Sequence, residues 1–152
     1  MLKVFCPVEG KVVINKKIPD ATFSQNLMGP TLGVVPSSKN FYAPINGEVV
    51  IMSGHAYGIK AYNGVQVLVH IGIDTVKIDE KTKAKIFKHK IKQGQKVKTG
   101  QLMVEVDLAG IKKCGYSIIT PVCVIGDSVE NKDVTYETIG PSSPEDVMFQ
   151  VK

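Results

Sequence analysis

Two short apolar runs joined by a tight turn make up the stretch Gly54-His55-Ala56-Tyr57-Gly58-Ile59-Lys60-Ala61-Tyr62-Asn63-Gly64-Val65-Gln66-Val67-Leu68-Val69-His70. The run 65–69 is rich in valine, which is typical of a β-strand. Asn63-Gly64 favours a tight turn because both residues tolerate positive φ. The stretch therefore predicts a β-hairpin with one histidine near each free end.

Similar short runs recur along the chain and are separated by Gly, Pro, Asn and Ser; they include 10–14, 47–52, 101–106 and 118–125. Many short strands at close spacing are typical of a closed or sandwich-like all-β domain. Helical patterns are confined to short turns within 19–28, capped by Asp20, and within 111–114. We expect an all-β fold, an antiparallel β-sandwich or barrel-sandwich hybrid with only short helical turns, and one domain over residues 1–152.

An internal echo supports this expectation, because 7–13 and 44–50 share the pattern P-x-x-G-x-V-V. A single echo is too little for a solenoid repeat. It predicts two similar strand entries within one β-sandwich.

Composition narrows the function classes. All 19 basic residues are lysines and the net charge is +5, so no arginine fork is available to hold a phosphate. Lysines cluster between Lys77 and Lys98, but without nucleic-acid motifs or stacking aromatics we interpret the cluster as a solvated face and expect no nucleic-acid partner. The three cysteines form no CxxC pair, and neither a signal peptide nor a membrane span is evident. We expect a cytoplasmic protein without direct membrane insertion.

Two of the three histidines stand in a context that predicts chemistry. His55 and His70 are 15 residues apart on either side of the predicted turn, so their rings should face each other if a bulge corrects the register. A neutral imidazole can attack phosphorus through its bare nitrogen, and a second imidazole can bind the phosphoryl oxygens. Gly72 is expected to let a partner's backbone approach. His89, among lysines, is read as an exposed polar residue.

The sequence resembles glucose-type IIA domains of the bacterial phosphoenolpyruvate-dependent sugar phosphotransferase system. The run His70-Ile71-Gly72-Ile73-Asp74-Thr75 matches their phosphorylation-site pattern H-[FIL]-G-[IL]-D-T. Gly54-His55-Ala56-Tyr57-Gly58-Ile59 is similar to their second histidine motif at the same separation. Further matches extend over about residues 1 to 147. Two departures are Gly29-Pro30-Thr31, where the family often has G-D-G, and Gly54, where it has asparagine.

This resemblance implies a phosphocarrier, and hence a phosphotransferase component of sugar transport. His70 would accept a phosphoryl group from phospho-HPr and donate it to a cysteine on the IIB domain of a sugar permease, while His55 stabilises the group. Ser53 would hold His55 or a phosphoryl oxygen, and Asp74 would orient a neighbour or discourage a second anion. The resemblance implies no cofactor beyond the transient phosphohistidine.

Partner docking is expected to use apolar and acidic groups around the histidines. The apolar candidates are Phe23, Val35, Leu68, Ile71 and Ile73. Asp20 and Asp74 would complement a basic rim on HPr or IIB. We expect a monomer that forms transient complexes. The chain has no intrinsic metal site, although His55 and His70 are able to share a zinc ion with ligands from a partner.

Two other function classes fit parts of the sequence. A lysostaphin-like zinc peptidase would use His55, His70 and Asp74 as ligands, but such enzymes also need an H-x-H pair, and the chain offers only Lys88-His89-Lys90. A biotinyl or lipoyl carrier domain would explain the run Gly94-x-x-Val97-x-x-Gly100-x-Leu102. No lysine stands in the hairpin motif that such domains modify.

Overall fold

The computed structural model describes all 152 residues, and strands dominate it. The strands in chain order are β1 Leu2–Phe5, β2 Gly10–Ile14, β3 Thr31–Pro36, β4 Asn40–Tyr42, β5 Gly47–Ser53, β6 Ala56–Lys60, β7 Gln66–His70, β8 Phe87–His89, β9 Lys96–Val97, β10 Leu102–Val106, β11 Thr120–Val124, β12 Val134–Tyr136, β13 Gly140–Ser142 and β14 Val147–Val151.

The strands form three sheets, and every pairing is antiparallel. Two sheets have three strands, in the orders β1-β14-β12 and β4-β10-β8. The third has eight strands in the order β13-β2-β3-β11-β7-β6-β5-β9. The predicted all-β antiparallel class is confirmed. The eight-stranded sheet ends in two short strands, β13 at one edge and β9 at the other.

Three short α-helices connect the strands: α1 Ala21–Ser24, α2 Glu80–Ile86 and α3 Leu108–Lys113. An aspartate caps each helix by accepting a backbone N–H; for α1 this is Asp20, which accepts from Thr22 as predicted. The sequence interpretation missed α2, and α3 begins three residues before the predicted turn. Single 3₁₀ turns occupy Asn15–Lys17, Thr75–Lys77 and Gly126–Val129. None of the helices is long and apolar enough to cross a bilayer.

The three sheets enclose one main core of 32 buried apolar residues. Val4 comes from the first three-stranded sheet, Phe41 from the second and Val69 from the eight-stranded sheet, and each is fully buried. The hydroxyl of the buried Tyr57 donates a hydrogen bond of 2.8 Å to the carbonyl oxygen of Tyr42. The Tyr57 hydroxyl in the core is therefore paired. Val69 of β7 lies in this core, on the sheet face opposite to His70.

The two P-x-x-G-x-V-V segments have matching structural roles. Gly10 begins β2 and Gly47 begins β5. A Cβ at either glycine would collide with a backbone carbonyl oxygen of the adjacent strand, that of Val35 or that of Lys60. The shared glycine therefore lets the entering strand lie against its neighbour, as the internal echo predicts.

Candidate functional site

His70 is the last residue of β7, in the interior of the eight-stranded sheet, and is paired across the ladder with Ala56 of β6. Its Nδ1 lies 2.8 Å from the carbonyl oxygen of Gly72. A carbonyl oxygen only accepts hydrogen bonds, so Nδ1 carries the proton and donates it. The other ring nitrogen, Nε2, is therefore left with its lone pair in the neutral ring.

The turn after β7 is built to place that carbonyl. Gly72 has φ +78, and a Cβ there would lie 2.6 Å from Cγ2 of Thr75 and 2.9 Å from the carbonyl oxygen of Ser117. The Thr75 hydroxyl donates a 2.6 Å hydrogen bond to the carbonyl of Ile71. Because Gly72 is buried, the expectation that it opens the surface to a partner's backbone is wrong. Its lack of a side chain serves the internal turn that holds His70.

His55 reaches the same place from a different element. It lies in the two-residue turn Gly54-His55 between β5 and β6, and its carbonyl accepts a 2.7 Å hydrogen bond from the Ile71 N–H. The ring centroids of His55 and His70 are 4.8 Å apart, with an angle of 74° between the ring planes. The prediction that the two imidazoles face each other is confirmed. The β6–β7 hairpin contains no bulge, although one was expected. None is needed, because His55 lies in a turn, where its side chain does not follow the alternation of a strand.

Burial lowers the pKa of both rings and so favours their neutral forms at pH 7, and nearby positive charge adds to this effect at His55. The pKa of His55 is lowered to about 4, first by burial, then by the charges of His70 and Lys83, while Glu80 acts in the opposite direction. Burial also lowers the pKa of His70, opposed by its hydrogen bond to Gly72 and by the carboxylates of Asp20 and Asp74. The site thus presents one bare ring nitrogen beside a neutral imidazole that can donate an N–H.

Apolar side chains surround the His70 ring. Phe23 packs on it with ring centroids 5.2 Å apart, and Ile18, Phe23 and Ile73 form a small buried cluster. Gly33 leaves room for Ile18, whose side chain would approach a Cβ there to 3.0 Å. The cluster therefore packs against the His70 ring through Phe23.

The docking candidates do not share one environment. Phe23 and Ile73 belong to the cluster beside His70, and Leu68 packs with Ala56 on the same sheet face. Val35 is half-buried. Ile71, by contrast, is fully buried in the main core, so the expectation that it contacts a partner is wrong. Strand alternation sends its side chain to the opposite face of the sheet from that of His70.

The other polar candidates lie at the rim. The Ser53 hydroxyl donates a long hydrogen bond of 3.4 Å to the carbonyl oxygen of Ala56, and does not bond to His55. Asp20 is half-buried and caps α1. Asp74 is exposed, adopts a left-handed conformation with φ 59, and lies 3.8 Å from the ammonium of Lys77. Both carboxylates act on His70 through their charge and not through a hydrogen bond.

The sequence interpretation missed Lys83, which contacts the turn that carries His55, and the exposure of Val76. Lys83 of α2 is buried, and its aliphatic stem contacts Gly54, the residue before His55. Val76, two residues after Asp74, has 55% of its surface exposed. A sequence signal for Lys83 exists, because the cap signal Asp79 with Thr82 starts a helix that places residue 83 and the apolar Ile86 on one face.

The site offers two metal ligands and no third. No group of three or more His, Cys, Asp or Glu side chains is arranged to hold a metal ion. His89 is exposed, and its Nδ1 lies 2.9 Å from Sδ of Met52. Three protein ligands, which a catalytic zinc site needs, are not assembled around His55 and His70.

A surface cavity of about 710 Å³ lies elsewhere, between the start of β5, the end of β6 and β9. Lys60, Lys96 and Lys98 line it together with Glu48, and neither histidine does. The cavity is therefore separate from the histidine pair and takes no part in that site.

Two comparisons relate this chain to known proteins. The sequence model of the family described as phosphoenolpyruvate-dependent sugar phosphotransferase system, EIIA 1, matches residues 2–129. The solved structure of glucose permease IIA from Mycoplasma capricolum is similar to this chain, with a TM-score of 0.84 and 30% sequence identity. That alignment covers 97% of this chain and 94% of the other.

Proposed function

We propose a route of phosphoryl transfer for this chain, which belongs to the EIIA 1 family of the phosphoenolpyruvate-dependent sugar phosphotransferase system and is therefore a glucose-type phosphocarrier. In this proposal the chain accepts a phosphoryl group from phospho-HPr on Nε2 of His70 and donates it to the IIB domain of a sugar permease. The observation that carries the proposal is the 2.8 Å hydrogen bond between Nδ1 of His70 and the Gly72 carbonyl. It leaves Nε2 as the one nucleophilic nitrogen of that ring.

The proposed transfer conserves atoms and electrons. The Nε2 lone pair of His70 forms the new N–P bond while the bond between phosphorus and the donor breaks, and its electron pair leaves with the donor. In the second step the sulfur of a IIB cysteine attacks phosphorus, and the N–P electron pair returns to Nε2. Nδ1 keeps its proton throughout, held by the Gly72 carbonyl, so the ring is returned in its starting tautomer.

His55 is proposed to stabilise the phosphoryl group and not to accept it. Its ring lies 4.8 Å from that of His70, close enough for both to reach one phosphate. A pKa of about 4 keeps it neutral, so it donates one N–H to a phosphoryl oxygen without storing a proton. Such a preorganised donor acts mainly where charge develops in the transition state.

The docking surface is proposed to be the apolar and acidic rim around the rings. Phe23 and Ile73 supply apolar contact, the exposed Val76 extends it, and Asp20 and Asp74 favour a basic partner surface. A transient complex of this kind buries a modest area and exchanges quickly.

The test is phosphorylation with phosphoenolpyruvate, Enzyme I and HPr. Wild type should take up one acid-labile, alkali-stable phosphate per chain, and phosphorus NMR should assign it to Nε2 of His70. His70→Ala should take up none, and His55→Gln should accept phosphate but pass it on slowly to IIB. His89→Gln changes the third histidine, whose ring is exposed and hydrogen-bonds to the backbone of Gly54, and it should still take up one phosphate. Normal labelling of His70→Ala, or a phosphate on Nδ1, would refute the proposal.

A further inference from the structure

Lys83 is the one charged residue among the buried residues of this protein. Its side chain is only 9% exposed, although it lies on the short surface helix α2. Removing an ammonium from water is costly unless it is well paired. A buried cation at this position therefore calls for an explanation that the fold alone does not provide.

The ion partner of Lys83 does not provide that explanation. Its Nζ lies 3.2 Å from Oε1 of Glu80, three residues earlier on the same helix. The Glu80 side chain is 91% exposed, and exposed pairs of this spacing contribute little. A methionine of similar volume would fill the space without the cost of a buried charge.

Contact of Lys83 with the histidine site explains its burial. The stem of Lys83 runs over Gly54, where a Cβ would lie 3.0 Å from Cδ of Lys83. Gly54 and His55 form the turn between β5 and β6, so the stem packs directly on the segment that carries His55. The absence of a side chain at Gly54 therefore leaves room for this lysine.

The charges around the two rings are arranged unequally. The carboxylates of Asp20 and Asp74 act on His70, whereas Lys83 and Glu80 of α2 act on His55. A phosphoryl group carries up to two negative charges and would enter this site without any arginine to meet it. The positive charge of Lys83 therefore acts at His55, where the Glu80 carboxylate partly offsets it.

We propose that Lys83 is a positioning residue of the transfer site: its stem fixes the turn that carries His55, and its ammonium supplies positive charge for the phosphoryl group that bridges the two rings. This proposal rests on the proposed function. Glu80 then acts as a competing partner that holds the ammonium while the site is empty.

The variant Lys83→Met distinguishes the effect of the charge from that of the stem, because it removes the ammonium and keeps a long apolar side chain. Lys85→Met, on the exposed face of the same helix, changes the net charge equally and is the matched control. We expect Lys83→Met to slow single-turnover transfer from phospho-HPr about tenfold at saturation, as expected for one partly screened charge. Its KM should be unchanged because a buried side chain does not contact the partner, and Lys85→Met should match wild type.

A second variant tests the proposal even if Lys83→Met does not fold. Glu80→Gln changes an exposed residue and frees the ammonium, so transfer should be as fast as in wild type or faster. Equal rates for Lys83→Met and Lys85→Met would overturn the proposal, as would a slowing by Glu80→Gln comparable to that by Lys83→Met. Failure of the proposed function itself looks different, because wild type would then take up no phosphate at all.

Discussion

Replacing His55 by glutamine should make the fold less sensitive to acid. The pKa of His55 is lowered from 6.5 to about 4, mainly by burial. An unfolded chain therefore binds a proton at this ring below about pH 6.5, whereas the folded chain binds it only below about pH 4. Between these values the unfolded state holds more protons, so stability falls as the pH is lowered. Above pH 6.5 both states are neutral and the effect vanishes.

The size of this effect follows from the same shift. One pKa unit corresponds to about 1.4 kcal/mol, so lowering the pH to 4.5 would destabilise a fully desolvated ring by about 3 kcal/mol. His55 is only half-buried, and solvent screening reduces the expected contribution to about 1–2 kcal/mol. The variant should therefore lose about 1–2 kcal/mol less stability than wild type between pH 7.5 and pH 4.5.

The assay is urea unfolding of both proteins at the two pH values. Burial also lowers the pKa of His70 and of His89, so wild type and variant will both lose stability in acid. The difference between the two proteins isolates His55. If the free energy of unfolding falls equally in both, the ring is not held neutral by its site, and the reasoning fails.

Three further outcomes follow from the structure. Gly72→Ala should destabilise the fold by about 2 kcal/mol or more in urea unfolding, because φ is +78 and the new methyl would lie 2.6 Å from the Thr75 side chain. Asp74→Asn should lower the pKa of His70 further in an NMR titration, because it removes a carboxylate that raises that pKa while keeping a residue that tolerates a left-handed backbone. A thiol reagent should modify one cysteine in the native protein, Cys114, and three after unfolding.

Each of these outcomes has a control or a contradicting result. Gly64→Ala also places alanine at positive φ, but has open space around the methyl, so it should cost only about 1 kcal/mol. A His70 pKa that does not move in Asp74→Asn would exclude charge as the link. Rapid modification of Cys6 in the native protein would contradict its burial, which raises the pKa of that thiol to about 11.

The central hairpin was predictable because its signals are local. Asn63-Gly64 defines the turn, and the valine-rich run 65–69 defines the strand that ends at His70. The hairpin predicts that the two histidine rings lie close together, but it does not predict how the His55 side chain reaches His70. Strand alternation alone puts His55 on the wrong face, and only its position in a turn frees the side chain to approach His70.

Other features depend on contacts that distant segments provide. Helix α2 was missed because its lysines resemble a solvated stretch, and nothing local indicates that residue 83 is covered by the turn at Gly54. Ile71 was assigned to the surface because apolar residues beside a reactive group look alike in sequence, whether they face a partner or the core. The burial of Gly72 depends on Ser117, which lies 45 positions away.

The ends of the eight-stranded sheet bear on how the protein behaves when it is concentrated. An unprotected strand edge recruits strands from other chains and seeds aggregates. Here β9 is two residues long, with Lys96 within it and Lys98 directly after it, and β13 has Pro141 at its centre, which has no backbone N–H to donate. Because neither border gives a neighbouring copy a run of backbone to extend, this sheet resists edge-to-edge association between copies of the protein at high concentration.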